Sequence, residues 1–94
     1  MAAYWIARVK VSNSEAYAAY AKGATAAIES HGGRFLARGG RVESFEGEHY
    51  PRTVVVEFPS FEQAQACYNS PAYQEAKALQ EGAAVRNLCI VEGL

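Results

Sequence analysis

At 94 residues the chain accommodates one domain, expected to span residues 1–94, and leaves no room for a second core. A composition of 50% hydrophobic, 12% aromatic and 20% charged residues excludes a disordered chain. Nine Lys and Arg against ten Asp and Glu, a net charge of -1, lack the basic footprint of a nucleic-acid binder.

The N-terminal MAAYWIARVKV has no basic region leading into an apolar core and a small-residue cleavage site, and no apolar run is long enough to span a bilayer. Neither export nor membrane insertion is expected. Cys67 and Cys89 fit no CxxC or zinc spacing and read as small apolar residues in a reducing cytoplasm. The chain is expected to fold without metal, disulfide or cofactor. A chain of this size hides only roughly 60 to 65 per cent of its unfolded surface, so burial against a partner subunit would help it.

In chain order, Ala3 to Val11 alternates, with Trp5, Ala7, Val9 and Val11 on one face and Tyr4, Ile6, Arg8 and Lys10 on the other, which predicts a strand. Ser12 and Glu15 have the spacing of a capping box and open a helix expected over Asn13 to Ser30. Its stripe is Tyr17, Tyr20, Ala21, Ala24, Ala27, Ile28 and His31. Gly32 and Gly33 supply the left-handed backbone that ends it.

A second strand is expected from Arg34 to Gly40, with Phe35 and Ala37 on one face and Arg34, Leu36 and Arg38 on the other. The polar stretch from Gly39 to Arg52 reads as a long hairpin connection whose Val42 to Phe45 portion extends the strand. Thr53 to Phe58 has the strongest strand character, with Val54, Val56 and Phe58 on one side, and Pro59 ends it. Ser60 caps a second helix through Tyr68, and Asn69-Ser70-Pro71 breaks and restarts it with proline at the first helical position. The restarted helix carries Tyr73, Ala76 and Leu79 and stops near Gly82, and Val85 to Glu92 is the last strand.

Strand, helix, strand, strand, helix, strand defines an α+β, ferredoxin-like βαββαβ sandwich, a four-stranded antiparallel sheet with its helices on one face. The helix-covered face is expected to hold Trp5, Val9, Phe35, Ala37, Val54, Val56, Phe58, Cys89 and Val91. The other would hold Tyr4, Ile6, Arg8, Leu36, Arg38, Val55, Glu57, Leu88 and Ile90, a mixture too apolar to leave in water. A second copy packed sheet to sheet is the simplest cover, so a homodimer is expected.

Tyr4 to Ile6 (YWI), His31 to Gly40 (HGGRFLARGG), Val54 to Ser60 (VVVEFPS), Ser70 to Gln74 (SPAYQ) and the terminal IVEG resemble, in order and over essentially the whole chain, a widespread bacterial domain family of unknown function. That family belongs to the dimeric α/β-barrel superfamily of ferredoxin-like folds. The resemblance implies a homodimer whose two sheets enclose a barrel. Function does not follow, because the superfamily includes cofactor-free oxygenases, isomerases, haem enzymes and ligand sensors.

The topology sorts polar candidates to the two ends of the sheet. At one end His31 offers a proton-exchanging imidazole near Glu57, with which it forms the candidate catalytic pair; its alternative is a helix-terminal histidine favoured by the helix dipole. Glu57, a carboxylate among valines, either pairs with an arginine or is driven to hold its proton and act as acid or base. At the other end Arg38 is the candidate anchor for a substrate carboxylate or other anion, with an ion pair as its alternative. Tyr17, Tyr20 and Tyr73 either line a pocket between helices and sheet or fill the core. His49 lacks the companions a metal would need, no serine or cysteine lies in a nucleophile motif, and the glycine pairs lack a phosphate-cradle context. The functional expectation is a small anionic or aromatic metabolite as ligand, with cofactor-independent proton transfer or oxygenation as the chemistry if there is any. Its rival is a non-catalytic binding or structural dimer.

Overall fold

The computed structural model describes residues 1–94. Strand β1 (Ala3–Val11) is followed by α1 (Ser14–Ser30), β2 (Arg34–Arg38), β3 (Arg52–Phe58), α2 (Phe61–Asn69), α3 (Pro71–Leu79) and β4 (Ala84–Glu92). The sheet order is β2-β3-β1-β4 with every neighbouring pair antiparallel, which is the ferredoxin-like arrangement. β1 is central, paired along one edge with β3 and along the other with β4, and its Ala3, Trp5, Ala7 and Val9 alternate inward and are buried.

The inner face and the helices enclose one core. Trp5 lies at its centre, 5.8 Å from Phe58 and 5.0 Å from Tyr73 by ring centroid, the latter edge-on. Tyr17, Tyr20, Ala24, Ala27 and Ile28 are the buried stripe of α1, and small residues there let helices and sheet approach closely. The α2–α3 break follows the expected chemistry: Ser70 Oγ accepts from the Tyr73 backbone N–H at 3.2 Å and donates to the Cys67 carbonyl at 2.7 Å. Gly33 closes the α1–β2 turn where an added Cβ would lie 2.5 Å from Ile28 Cγ2 and 2.9 Å from its carbonyl.

Four local expectations are corrected. The cap of α1 is Asn13, whose Oδ1 accepts from Ala16 N–H at 3.2 Å; Ser12 is instead committed to the turn just ahead of β4, with its hydroxyl and its N–H both donating to the Ala83 carbonyl. β2 ends at Arg38, and residues 39–51 form no strand. That connection is held by ion pairing of Glu48 with Lys10, and by Tyr50 beneath the Arg8 guanidinium at 4.7 Å. The third correction concerns β2. Phe35 pairs with Val56 and Ala37 with Val55, so the ladder shifts by one residue around Leu36. A bulge reverses the alternation beyond it, which moves Ala37 to the outer face and brings Arg38, opposite Val54, to the helix face. The fourth is the phase of β4: Trp5 faces Ile90, Ala7 faces Leu88 and Val9 faces Arg86. Arg86, Leu88 and Ile90 therefore lie under the helices, whereas Cys89 and Val91 are exposed on the outer face.

Candidate functional site

The two reversals of phase have one result: they bring arginines under α1. Val9 is flanked in the sheet by Arg52 on β3 and Arg86 on β4, and Arg38 stands beside Val54. All three line a cavity between α1 and the sheet, with Tyr17, Tyr20, Ala21, Ala24, Thr25, Ile28, Phe35, Trp5, Ala7 and Val54 as its walls. Its open space for water-sized molecules is ≈ 30 Å³, enough for about two waters or an anionic head group. No carboxylate lines it.

Each guanidinium has a different setting. Arg86 is the deepest. Its Nη2 donates to Tyr20 Oη at 2.8 Å and to Tyr73 Oη at 2.9 Å, the two hydroxyls bond each other at 2.7 Å, and the guanidinium lies 4.6 Å from the Tyr20 ring centroid. Its Nε is buried without a partner. Arg52 lies 5.8 Å from the Tyr17 ring, and its Nε is likewise buried and unpartnered. Arg38 is exposed at the rim, stacked 4.3 Å from the Phe35 ring and donating to Thr25 Oγ1 at 3.4 Å.

Burial, reinforced by the neighbouring Tyr73, raises the Tyr20 pKa far above the usual phenol range, and burial raises that of Tyr73 as well. Burial also works against the Arg86 cation, but the Tyr20 and Tyr73 oxygens more than offset it and hold its pKa above the usual arginine value. The site therefore carries fixed positive charge and neutral hydroxyls. A buried cation is ordinarily paired with an acid; here hydroxyls and ring faces take that place, and donors remain for an incoming anion.

Of the sequence candidates, Tyr17 and Arg38 line this cavity, and Tyr73 stands behind it, bonded to Arg86. His31 and Glu57 are elsewhere, at the opposite end of the sheet. His31 ends α1 with its Nδ1 donating to the Ala27 carbonyl at 2.8 Å, and Glu57 accepts from Arg34 Nη2 at 2.8 Å. The two are not hydrogen-bonded to each other. Arg52 and Arg86 were absent from the sequence candidates. The signal for Arg86 lay in its two-residue spacing from Leu88 and Ile90, but Asn87, Cys89 and Val91 made the opposite phase equally readable. No cluster of His, Cys, Asp or Glu can hold a metal ion, and no helix is long and apolar enough to cross a membrane.

Fold and cavity together define a ferredoxin-like α+β protein with a cationic, tyrosine-walled hollow between its first helix and its sheet. The chain belongs to the family described as Domain of unknown function (DUF1330), whose pattern matches residues 2–94. No functionally curated protein matches the sequence. Among solved structures it is similar to a protein of unknown function from Rhodopseudomonas palustris, with 24% identity and a TM-score of 0.78 over 99% of this chain and 82% of that one. It is also similar to SnoaB, a cofactor-independent oxygenase from Streptomyces nogalater, with 10% identity and a TM-score of 0.66 over 99% and 93% of the two chains. A dimeric ferredoxin-like protein of unknown function from a Jannaschia species shares 16% identity and a TM-score of 0.65 over 99% of this chain and all of that one.

Proposed function

We propose that residues 1–94 act as one domain, a cytoplasmic homodimer that binds a small anionic metabolite with an aromatic or apolar body in the cavity beneath α1. The observation that carries this reading is the convergence of Arg38, Arg52 and Arg86 on a cavity lined by no carboxylate. A carboxylate head group fits the inner space between Arg52 and Arg86, and Arg38 with the Phe35 ring holds the body at the rim. Tyr20 and Tyr73 are positioning residues: they fix Arg86 by its Nη2 and leave its other donors for the ligand.

The second copy packs on the outer sheet face. There Ile6 lies between Val55 and Cys89, Tyr4 lies between Glu57 and Val91, and Leu36 and Val91 are about half exposed at 49% and 48%. The apolar character of that face supports the dimer, as do solved ferredoxin-like structures described as dimeric. Both cysteines are free, in keeping with a reducing compartment.

Trp5 is the only tryptophan and lines the cavity, so its emission reports occupancy directly. Titration with benzoate is expected to change Trp5 fluorescence saturably, and Arg52→Met or Arg38→Met to weaken binding by about tenfold each, as loss of a charge-assisted contact requires. Saturation with the same affinity in both variants overturns the assignment. A catalytic form of this reading, oxygenation without a cofactor, draws support from the fold shared with SnoaB. Oxygen uptake with electron-rich phenolic carboxylates, abolished by Arg86→Met, is its test. Proton transfer by His31 or Glu57 has less support, since each is already bonded within the protein.

A further inference from the structure

Arg86 lines two hollows. The second lies between α3 and β4, measures ≈ 230 Å³, and is lined by Tyr68, Lys77, Gln80, Ala84, Arg86 and Leu88. Two of these residues are cations and none is an acid. Gln80, at the end of α3, is only 7% exposed, yet its side-chain oxygen Oε1 has no hydrogen-bond partner. A buried amide oxygen without a donor is uncommon, because the lost hydration is not repaid. Lys77, half-buried one turn earlier on α3, makes no ion pair. Arg86 spends its Nη2 on the two tyrosines and keeps its Nη1 unbonded to protein.

We propose that this hollow is a second anion site, selective for a small oxyanion that also carries an O–H group. The negative oxygens meet Lys77 Nζ and the free edge of Arg86, and the ligand hydroxyl donates to Gln80 Oε1. This chemistry is shared by a short hydroxycarboxylate and a hydrogen phosphate. It differs from that of the first cavity, whose walls are mostly aromatic rings and aliphatic side chains and whose fully buried unpartnered atoms, Arg52 Nε and Arg86 Nε, are donors. The proposal stands whether or not the first cavity binds benzoate, because Lys77 and Gln80 belong to the second hollow alone.

The test is calorimetric titration of the full chain with glycolate, acetate and inorganic phosphate at neutral pH. Glycolate is expected to bind at least about fivefold more tightly than acetate, the low end of what a donor supplied to a buried acceptor contributes. Lys77→Met is expected to weaken glycolate and phosphate about tenfold while leaving benzoate binding in the first cavity unchanged. Gln80→Leu is expected to abolish the preference for glycolate over acetate, its fold being checked by circular dichroism. Phosphate binding ahead of glycolate assigns the site to phosphates, and the reverse order assigns it to hydroxycarboxylates. Equal affinity for glycolate and acetate, no saturation by any of the three, or affinities indifferent to Lys77→Met overturns the proposal.

Discussion

Tyr73→Phe removes one oxygen atom from a fully buried side chain and leaves the ring that packs on Trp5 and Tyr20 in place. That oxygen shares a 2.7 Å bond with Tyr20 Oη and accepts from Arg86 Nη2 at 2.9 Å. A neutral hydrogen bond contributes about 1 kcal/mol and one to a charged group about 1.5 to 3 kcal/mol, so the variant should lose about 2.5 to 4 kcal/mol of stability. In a domain of this length each kcal/mol moves the melting temperature by about 4 to 8 °C, which predicts a fall of at least about 10 °C. Thermal unfolding followed by circular dichroism at one fixed protomer concentration measures it, because the proposed dimer would melt in a concentration-dependent way. Tyr17→Phe is the internal control: its hydroxyl bonds to no protein group, and its loss should cost no more than about 0.5 kcal/mol. Tyr20→Phe combined with Tyr73→Phe should cost less than the two changes summed, since both hydroxyls share Arg86 and each other. A fall below about 3 °C for Tyr73→Phe would show that Arg86 is held by something other than this hydroxyl pair.

Burial pushes the Cys67 thiol up from 9.0 to about 11, so its proton is bound more tightly in the folded state. Stability from this group is complete below pH 9.0 and declines as pH rises towards about 11. Alkaline unfolding of Cys67→Ala, relative to its own neutral-pH stability, should therefore start later than in the parent chain. Ile6→Asp places a charge at the centre of the outer sheet face and should convert the proposed dimer to a folded monomer, read by sedimentation equilibrium. A monomeric mass for the parent chain at micromolar concentration refutes the dimer. Cys89 lies on that face, so it should react with a thiol reagent faster in Ile6→Asp than in the parent chain, with Cys67 inert in both. Gly33→Ala should destabilise the chain by about 1 to 3 kcal/mol, because the new methyl has nowhere to go between Ile28 and Phe58.

The element order, the α1–β2 connection at Gly32-Gly33 and the Ser70-Pro71 restart were legible in the sequence because each is dictated by local chemistry. Alternation marks β1 and β3, glycine's freedom ends α1, and serine followed by proline opens α3. Tyr17, Tyr20 and Tyr73 could likewise be placed beneath the helices from their periodicity. Arg38 and Arg86 could not be placed that way. A one-residue slip sends every side chain of a strand to the other face, and two such choices were settled only by pairing with neighbours distant in sequence. Arg38 reaches the helix face because the ladder with β3 shifts around Leu36. Arg86 reaches it because Val9 and Ala7 on β1 draw Arg86 and Leu88 opposite them, although Asn87, Cys89 and Val91 offered the opposite face just as readily. The sequence by itself thus determined which elements form and that a tyrosine-rich layer lies between helix and sheet. Tertiary packing alone decided that Arg38 and Arg86 join Arg52 at this layer with no carboxylate among them, because the phase of a strand is a property of its partners and not of its own residues.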